Sequence, residues 1–140
     1  MRDIGYVALG SNLGDRDALL ADARDAMGRL PDTRIVATSD IEETEPFGPV
    51  AQPRFLNQMV ALETALTPRQ LLEQLLQIER SAGRVRRERW GPRTLDLDIV
   101  KYERQACSDE DLTVPHPGLA TRDFWQRQLA SLVTSPAPKR

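Results

Sequence analysis

The chain has 140 residues, of which 40% are hydrophobic and 29% charged, with a formal net charge of −2. That length supports one core, and that composition excludes wholesale disorder. A membrane-spanning run of about 18 apolar residues is absent, the single cysteine (Cys107) excludes an internal disulfide, and the net charge argues against a general affinity for nucleic acid.

The amino-terminal stretch MRDIGYVALG lacks a basic-then-apolar leader pattern, so a cytoplasmic protein is the expectation. Residues 4–9 read as a short buried strand ended by Gly10-Ser11-Asn12-Leu13-Gly14. A helix is expected from Asp15 to Leu30, with Leu19, Ala23, Ala26, Met27 and Leu30 on its apolar face. Pro31-Asp32 breaks it, a second strand runs from Arg34 to Glu42, and TEPFGPVAQP reads as a loop. Residues 55–64 form the third strand. Thr67-Pro68-Arg69-Gln70 carries a helix-start signal, in which the Thr67 hydroxyl caps a free amide and Gln70 reaches back. Leu71, Leu75, Ile78 and Ala82 stripe that helix, and Gly83 suits its end.

Residues 94–102 alternate, with Leu95, Leu97 and Ile99 on one side and Thr94, Asp96 and Asp98 on the other. A last helix is expected from Thr121 to Val133, with Trp125, Leu129, Leu132 and Val133 inward. The organisation expected is one domain over residues 1–133 and a flexible tail over 134–140. The order strand–helix–strand–strand–helix–strand predicts an α+β, ferredoxin-like (split βαβ) antiparallel sheet with both long helices on one face. That fold serves many functions and decides none.

Asp96 and Asp98 stand two apart in a strand, with Cα atoms about 6.5 Å apart on one face, so their carboxylates converge on a hard cation or else line a solvent-facing edge. Immediately upstream, five of the chain's 17 arginines (Arg84, Arg86, Arg87, Arg89 and Arg93) fall within ten residues. Guanidinium forks beside a cation-binding pair are what a polyphosphate requires. Trp90, in the same segment, either stacks on a flat substrate or anchors the loop. Gly10-Ser11-Asn12-Leu13-Gly14 matches neither common glycine-rich phosphate cradle, so phosphate binding would rest on side chains and metal. The sole histidine, His116, lies between prolines, positioned for a contact or for a structural hydrogen bond. Cys107 reads as a surface residue. An RNA-binding module using the arginine-rich loop and a metal-dependent phosphodiesterase remain alternatives. Few aromatics (5%) and a negative charge weigh against the first, and one histidine against the second.

Taken together, LGSNLGDR (9–16), TEPFG with QPRFLN (44–57), GRVRRERWGPRTLDLDI (83–99), LTVPHP (112–117), and Arg122 with Phe124 resemble the 6-hydroxymethyl-7,8-dihydropterin pyrophosphokinase family of folate biosynthesis. The resemblance implies transfer of the β,γ-pyrophosphoryl group of ATP to the pterin hydroxymethyl oxygen, with release of AMP. It implies that Asp96 and Asp98 hold two Mg2+ ions and that Asp98 accepts the hydroxyl proton. Arg84 and Arg93 would act on the phosphates in catalysis. It further implies a pterin site of Thr44, Phe47, Phe55, Asn57, Trp90 and Phe124, with Phe55 and Phe124 sandwiching the ring and Trp90 on a closing loop. The ATP site would comprise Glu79, Arg84, Arg86, Arg93, Ile99, Leu112, Thr113, His116 and Arg122, several through main-chain groups. A monomer that binds ATP before the pterin, with no nucleic-acid or membrane partner, is expected. The chain departs from the family pattern in four places: a one-residue shorter Arg86–Trp90 stretch, Leu76 where some members carry Gln, Asp111 where some carry a basic residue, and Gln126-Arg127-Gln128-Leu129 in place of a more apolar run.

Overall fold

The nine residues Asp3–Ser11 form strand β1, buried along nearly its whole length, which puts it at the centre of the sheet. The computed structural model describes residues 2–46, 48–49, 51–83 and 95–134. Helix α1 (Arg16–Gly28) begins where the Asp15 carboxylate accepts the Ala18 amide. It is followed by β2 (Thr33–Thr38), β3 (Glu42–Thr44) and β4 (Phe55–Thr64). Helix α2 (Pro68–Ser81) carries the expected capping box: the Thr67 hydroxyl accepts the Gln70 amide at 3.2 Å and the Gln70 side chain accepts the Thr67 amide at 2.9 Å. Strand β5 (Asp96–Tyr102), a small hairpin of β6 (Cys107–Ser108) and β7 (Thr113–Val114), a 3-10 turn (Pro117–Ala120) and helix α3 (Asp123–Thr134) complete the described chain.

The main sheet runs β2-β4-β1-β5, with β3 also on β4, and every pairing is antiparallel. This is the strand order that a split βαβ arrangement calls for. Its alternating side chains build two cores. One lies under both long helices and joins Val7, Leu9, Val60, Leu62, Leu95, Leu97 and Ile99 to Leu20, Ala23 and Met27 of α1 and Leu71 and Leu75 of α2. The other, on the opposite face, joins Tyr6, Ala8, Met59, Ala61 and Val100 to Trp125 of α3.

Three local expectations are corrected. The strand expected over Arg34–Glu42 is two strands, because Ser39 ends the first. Its amide donates to the Met59 carbonyl (2.8 Å), its hydroxyl accepts the Met59 amide (2.9 Å), and its carbonyl accepts the Gln58 side chain (2.8 Å). A side chain that satisfies strand backbone groups replaces the ladder there. The second strand also extends through Thr44, into the segment expected to be loop. In α1 the wholly buried position is Leu20 beside Ala23 and Met27, while Leu19 is only half-buried.

In α3 Trp125, Leu129 and Leu132 pack inward as expected, and the inward face differs at two positions. Val133, expected inside, is 55% exposed, whereas Gln128 is 3% exposed. Both polar atoms of the Gln128 amide lack a hydrogen-bond partner among the described residues. A buried amide with no partner retains its desolvation cost. Replacing Gln128 by Met or Leu should therefore stabilise the protein by about 1–2 kcal/mol, read as a melting temperature higher by roughly 3–6 °C. An unchanged or lower melting temperature would show that the amide is satisfied.

Candidate functional site

On the sheet face that carries α3, the strand register sets out two rows. Asn57, Gly10 and Asp96 lie across β4, β1 and β5 in the first, and Met59, Ala8 and Asp98 in the second. The middle strand thus contributes two small residues between a polar amide on one side and two carboxylates on the other. A Cβ at Gly10 would lie 3.3 Å from the Asn57 Oδ1 and 3.5 Å from the Phe55 ring. Gly10 thus leaves room for Asn57 to lie close over β1, with Phe55 in ordinary contact distance.

The acid pair owes its orientation to its neighbours in sequence. Leu95, Leu97 and Ile99 are buried under α2, so the two-residue period turns Asp96 and Asp98 to the other face, where both stay partly exposed. Between them, the Leu97 amide donates to the Glu79 Oε2 at 2.7 Å. Glu79, only 4% exposed near the end of α2, thereby pins the segment that carries both carboxylates.

Over this face stands the turn that enters α3. The His116 amide donates to the Val100 carbonyl (2.8 Å), which fixes the residue to β5. Its Nδ1 accepts the Gly118 amide (2.9 Å), so the ring proton of neutral His116 sits on Nε2. Nε2 lies 3.8 Å from the Asp98 carboxylate, too far for a hydrogen bond. Burial, aided by the Arg122 charge and opposed by Asp96, holds the imidazole below its ordinary pKa. His116 is thus a neutral donor near pH 7, and its approach to Asp98 is not an ion pair.

The Trp125 and His116 rings meet at 89° with 4.9 Å between centroids, and the Arg122 guanidinium lies 4.3 Å above the indole. Phe124 meets Trp125 edge-on at 6.4 Å. A Cβ at Gly118 would come within 3.1 Å of both the Arg122 guanidinium and the His116 Nδ1, so a side chain there would push these groups apart by a few tenths of an ångström.

At the opposite side of the rows, the Asn57 amide donates to the Thr44 hydroxyl of β3, and Phe55 opens β4. The segment before Phe55 is tied to the end of β1. Buried Asn12 donates to the Gln52 side chain (2.8 Å) and the Pro53 carbonyl (2.9 Å), and Arg16 donates to the Arg54 carbonyl (2.8 Å) and Glu43 (3.0 Å). These tethers explain why LGSNLGDR and QPRFLN belong to one site, a link that glycines read only as turn formers did not reveal.

Of the residues singled out in the sequence, the structure brings Thr44, Phe55, Asn57, Asp96, Asp98, His116, Arg122 and Phe124 to this one face. Ile99 and Leu112 are buried in the core under the helices, and Thr113 is exposed on β7. Phe47, Arg84, Arg86, Arg87, Arg89, Trp90 and Arg93 lie outside the described residues.

The donor set fits magnesium. Among the described residues no group of three or more metal-ligating side chains occurs, which excludes a dedicated cage there. Two carboxylates on one strand face instead suit a hard cation that takes its remaining ligands from substrate phosphates and water. His116, with Nδ1 engaged and Nε2 protonated, offers no free lone pair to a softer metal.

The sequence pattern of the 7,8-dihydro-6-hydroxymethylpterin-pyrophosphokinase (HPPK) family matches residues 6–134. Among curated proteins, the 2-amino-4-hydroxy-6-hydroxymethyldihydropteridine pyrophosphokinase of Pseudomonas aeruginosa is 49% identical over 127 residues, covering 91% of this chain and 78% of that protein. The like-named proteins of Methylorubrum extorquens and Bacillus subtilis are 46% and 43% identical, over 91% and 94% of this chain and 80% and 79% of their own lengths. At that identity over nearly the whole described fold, the chain belongs to the 7,8-dihydro-6-hydroxymethylpterin-pyrophosphokinase family.

Proposed function

We propose that the chain transfers the β,γ-pyrophosphoryl group of ATP to the hydroxymethyl oxygen of 6-hydroxymethyl-7,8-dihydropterin, releasing AMP, as a magnesium-dependent pyrophosphokinase of folate biosynthesis. The observation that carries this reading is the pair of rows that sets Asn57 opposite Asp96, and Met59 opposite Asp98, across the small residues Gly10 and Ala8. A flat heterocycle with a polar edge finds the Asn57–Thr44 pair on one side, and a phosphate chain with its cation finds the carboxylates on the other.

In this assignment Phe55 and Phe124 supply the two π faces for the pterin, while Asn57, Thr44 and the main chain near Phe47 read its polar edge. Asp96 and Asp98 would hold two magnesium ions together with the triphosphate. The ions supply neutralisation of the phosphate oxygens and polarisation around the β-phosphorus. Arg84, Arg86 and Arg93 take the remaining oxygens, and Arg84 and Arg93 keep the β-phosphorus in line with the attacking hydroxyl. Asp98 accepts the hydroxyl proton, and Trp90 closes over the reactants. On the nucleotide side, His116 donates through Nε2 and Arg122 adds a positive charge already braced against Trp125. Leu112, Thr113 and Ile99 contribute main-chain groups. Glu79 acts through the Leu97 amide by keeping the acid pair aimed. The proposed unit is a single domain over residues 1–133, working as a monomer in the cytoplasm with small-molecule partners only, and ATP enters before the pterin.

Incubation of the full chain with ATP, magnesium and 6-hydroxymethyl-7,8-dihydropterin should yield equal amounts of AMP and the pterin diphosphate, resolved by chromatography. ADP as the nucleotide product would exclude pyrophosphoryl transfer. Asp96→Asn should lower kcat by at least about 100-fold, with the melting temperature kept; near-normal turnover would remove the acid pair from the chemistry. Gly10→Val should raise the pterin KM by about tenfold through crowding of Asn57 and Phe55, and leave the ATP KM within about twofold. Equal effects on both substrates would mean that Gly10 serves the fold rather than the pterin side.

A further inference from the structure

The β6–β7 hairpin joins the helical side of the molecule to the nucleotide side of the proposed site. Its turn is closed at both ends, by the Asp109 amide on the Leu112 carbonyl (2.9 Å) and the Leu112 amide on the Asp109 carbonyl (3.4 Å). Leu112 is 7% exposed and belongs to the main core, whereas Thr113 next to it faces outward. Three residues further on, the His116 amide is bonded to β5. The turn thus leads directly into Leu112, Thr113 and His116.

The turn carries three acidic residues in a row, Asp109, Glu110 and Asp111. Left alone, such charges would repel each other and any polyphosphate brought beside them. Arg69, in the first turn of α2, answers two of them at once. Its Nη1 donates to one Asp111 oxygen (2.8 Å), and its Nη2 to the other Asp111 oxygen (2.9 Å) and to Asp109 (2.8 Å). The guanidinium holds both carboxyls below the usual carboxylate range, so both are ionised and paired at neutral pH. The Cys107 thiol adds a fourth contact, donating to Asp109 at 3.3 Å. The location also suits the helix. The first turn of α2 holds no acidic residue of its own, and the hairpin carboxylates supply the negative charge that a helix amino end favours. Exposed ion pairs taken singly count for little, but a two-pronged fork shared by two carboxylates is the network geometry in which they count.

We propose that Arg69 is a positioning residue for the nucleotide: by clamping Asp109 and Asp111 it fixes the turn that leads into Leu112, Thr113 and His116, and its one positive charge offsets part of the negative charge that this turn would otherwise present to a polyphosphate. The inference rests on the pyrophosphokinase reading, and the test separates the two. Steady-state kinetics of the full chain with ATP, magnesium and the pterin are compared for wild type, Arg69→Gln, the pair Asp109→Asn with Asp111→Asn, and the triple variant. Arg69→Gln should raise the ATP KM by about fivefold, with kcat and the pterin KM within about twofold and the melting temperature within about 3 °C. In the background where both aspartates are asparagine, the same substitution should change the ATP KM by less than about twofold. Arg69→Lys, which keeps the charge but not the fork, should fall between.

An ATP KM unmoved by Arg69→Gln overturns the inference while leaving the pyrophosphokinase reading intact. So does an equal loss in every parameter together with the melting temperature, since that marks a merely structural residue. So does an undiminished effect in the asparagine background, which would make Arg69 act independently of the hairpin. Should Arg69→Gln fail to fold, Arg69→Glu with Asp111→Arg carries the test: the reversed pair should return the ATP KM to within about threefold of wild type, and no recovery overturns the inference. A wild-type chain that forms no AMP overturns both readings together.

Discussion

The alternation of β5 governs the rest of the site. Leu95, Leu97 and Ile99 are each 6% exposed or less, and burying each such side chain contributes about 1.5–3 kcal/mol. That energy fixes the register, because a slip of one residue would move all three into solvent and both aspartates into the core. The carboxylates of Asp96 and Asp98 therefore do not have to hold themselves on the working face against their mutual repulsion. The leucines and isoleucine beneath them do it. Glu79 adds a directional element, since its carboxylate takes the one amide that lies between the two aspartates. A residue picked out for the nucleotide is thus, in its visible contact, part of the support of the acid pair, and both roles point to the same strand.

The opposite side of the site is held by different means. Thr44 and Asn57 meet across β3 and β4, and the approach to Phe55 is tied to the start of α1 by Asn12 and Arg16. The Asn12 and Arg16 contacts are polar tethers on a loop rather than apolar burial. The carboxylate side is set by a core and the Asn57 side by hydrogen bonds. Such an arrangement suits a site in which a charged chain needs fixed partners and a ring needs walls around it.

Much of this was legible in the sequence where the physics is periodic. The alternation over 95–99, the capping box at Thr67–Gln70 and the helix stripe through Leu71 and Leu75 each carry their structure in spacing alone, and each was found where expected. What escaped has no period. The β6 and β7 strands are two residues each, too short to alternate, and their partner is Arg69, forty residues away. The break between β2 and β3 depends on one serine bonding to β4, a contact that the local pattern cannot announce. Gly10 reads as a turn glycine, yet it also leaves Asn57 room to lie close over β1. In α3 the departure at Gln126–Leu129 was visible as composition, but its consequence, a buried amide where an apolar side chain would fit, required the packing. The family itself was legible because its motifs fall in order along the whole chain, even though the segment richest in them, residues 84–94, lies outside what the structure describes.

The scarcity of metal ligands among the described residues bears on how the proposed reaction is ordered. Two carboxylates on an open strand face bind a magnesium ion weakly by themselves, because the ion keeps most of its water unless further oxygens replace it. Those oxygens belong to the triphosphate. The free energy that seats the cation therefore depends on the nucleotide, and the free energy that seats the nucleotide depends on the cation, so the two are thermodynamically linked. The pterin has no such dependence on the carboxylate side, since its proposed contacts run through Asn57, Thr44 and two aromatic rings. Its hydroxymethyl group meets a competent phosphorus only after the linked pair has been assembled. On the proposed reading the nucleotide and its cation are thus seated as one linked pair, and the pterin by contacts of its own.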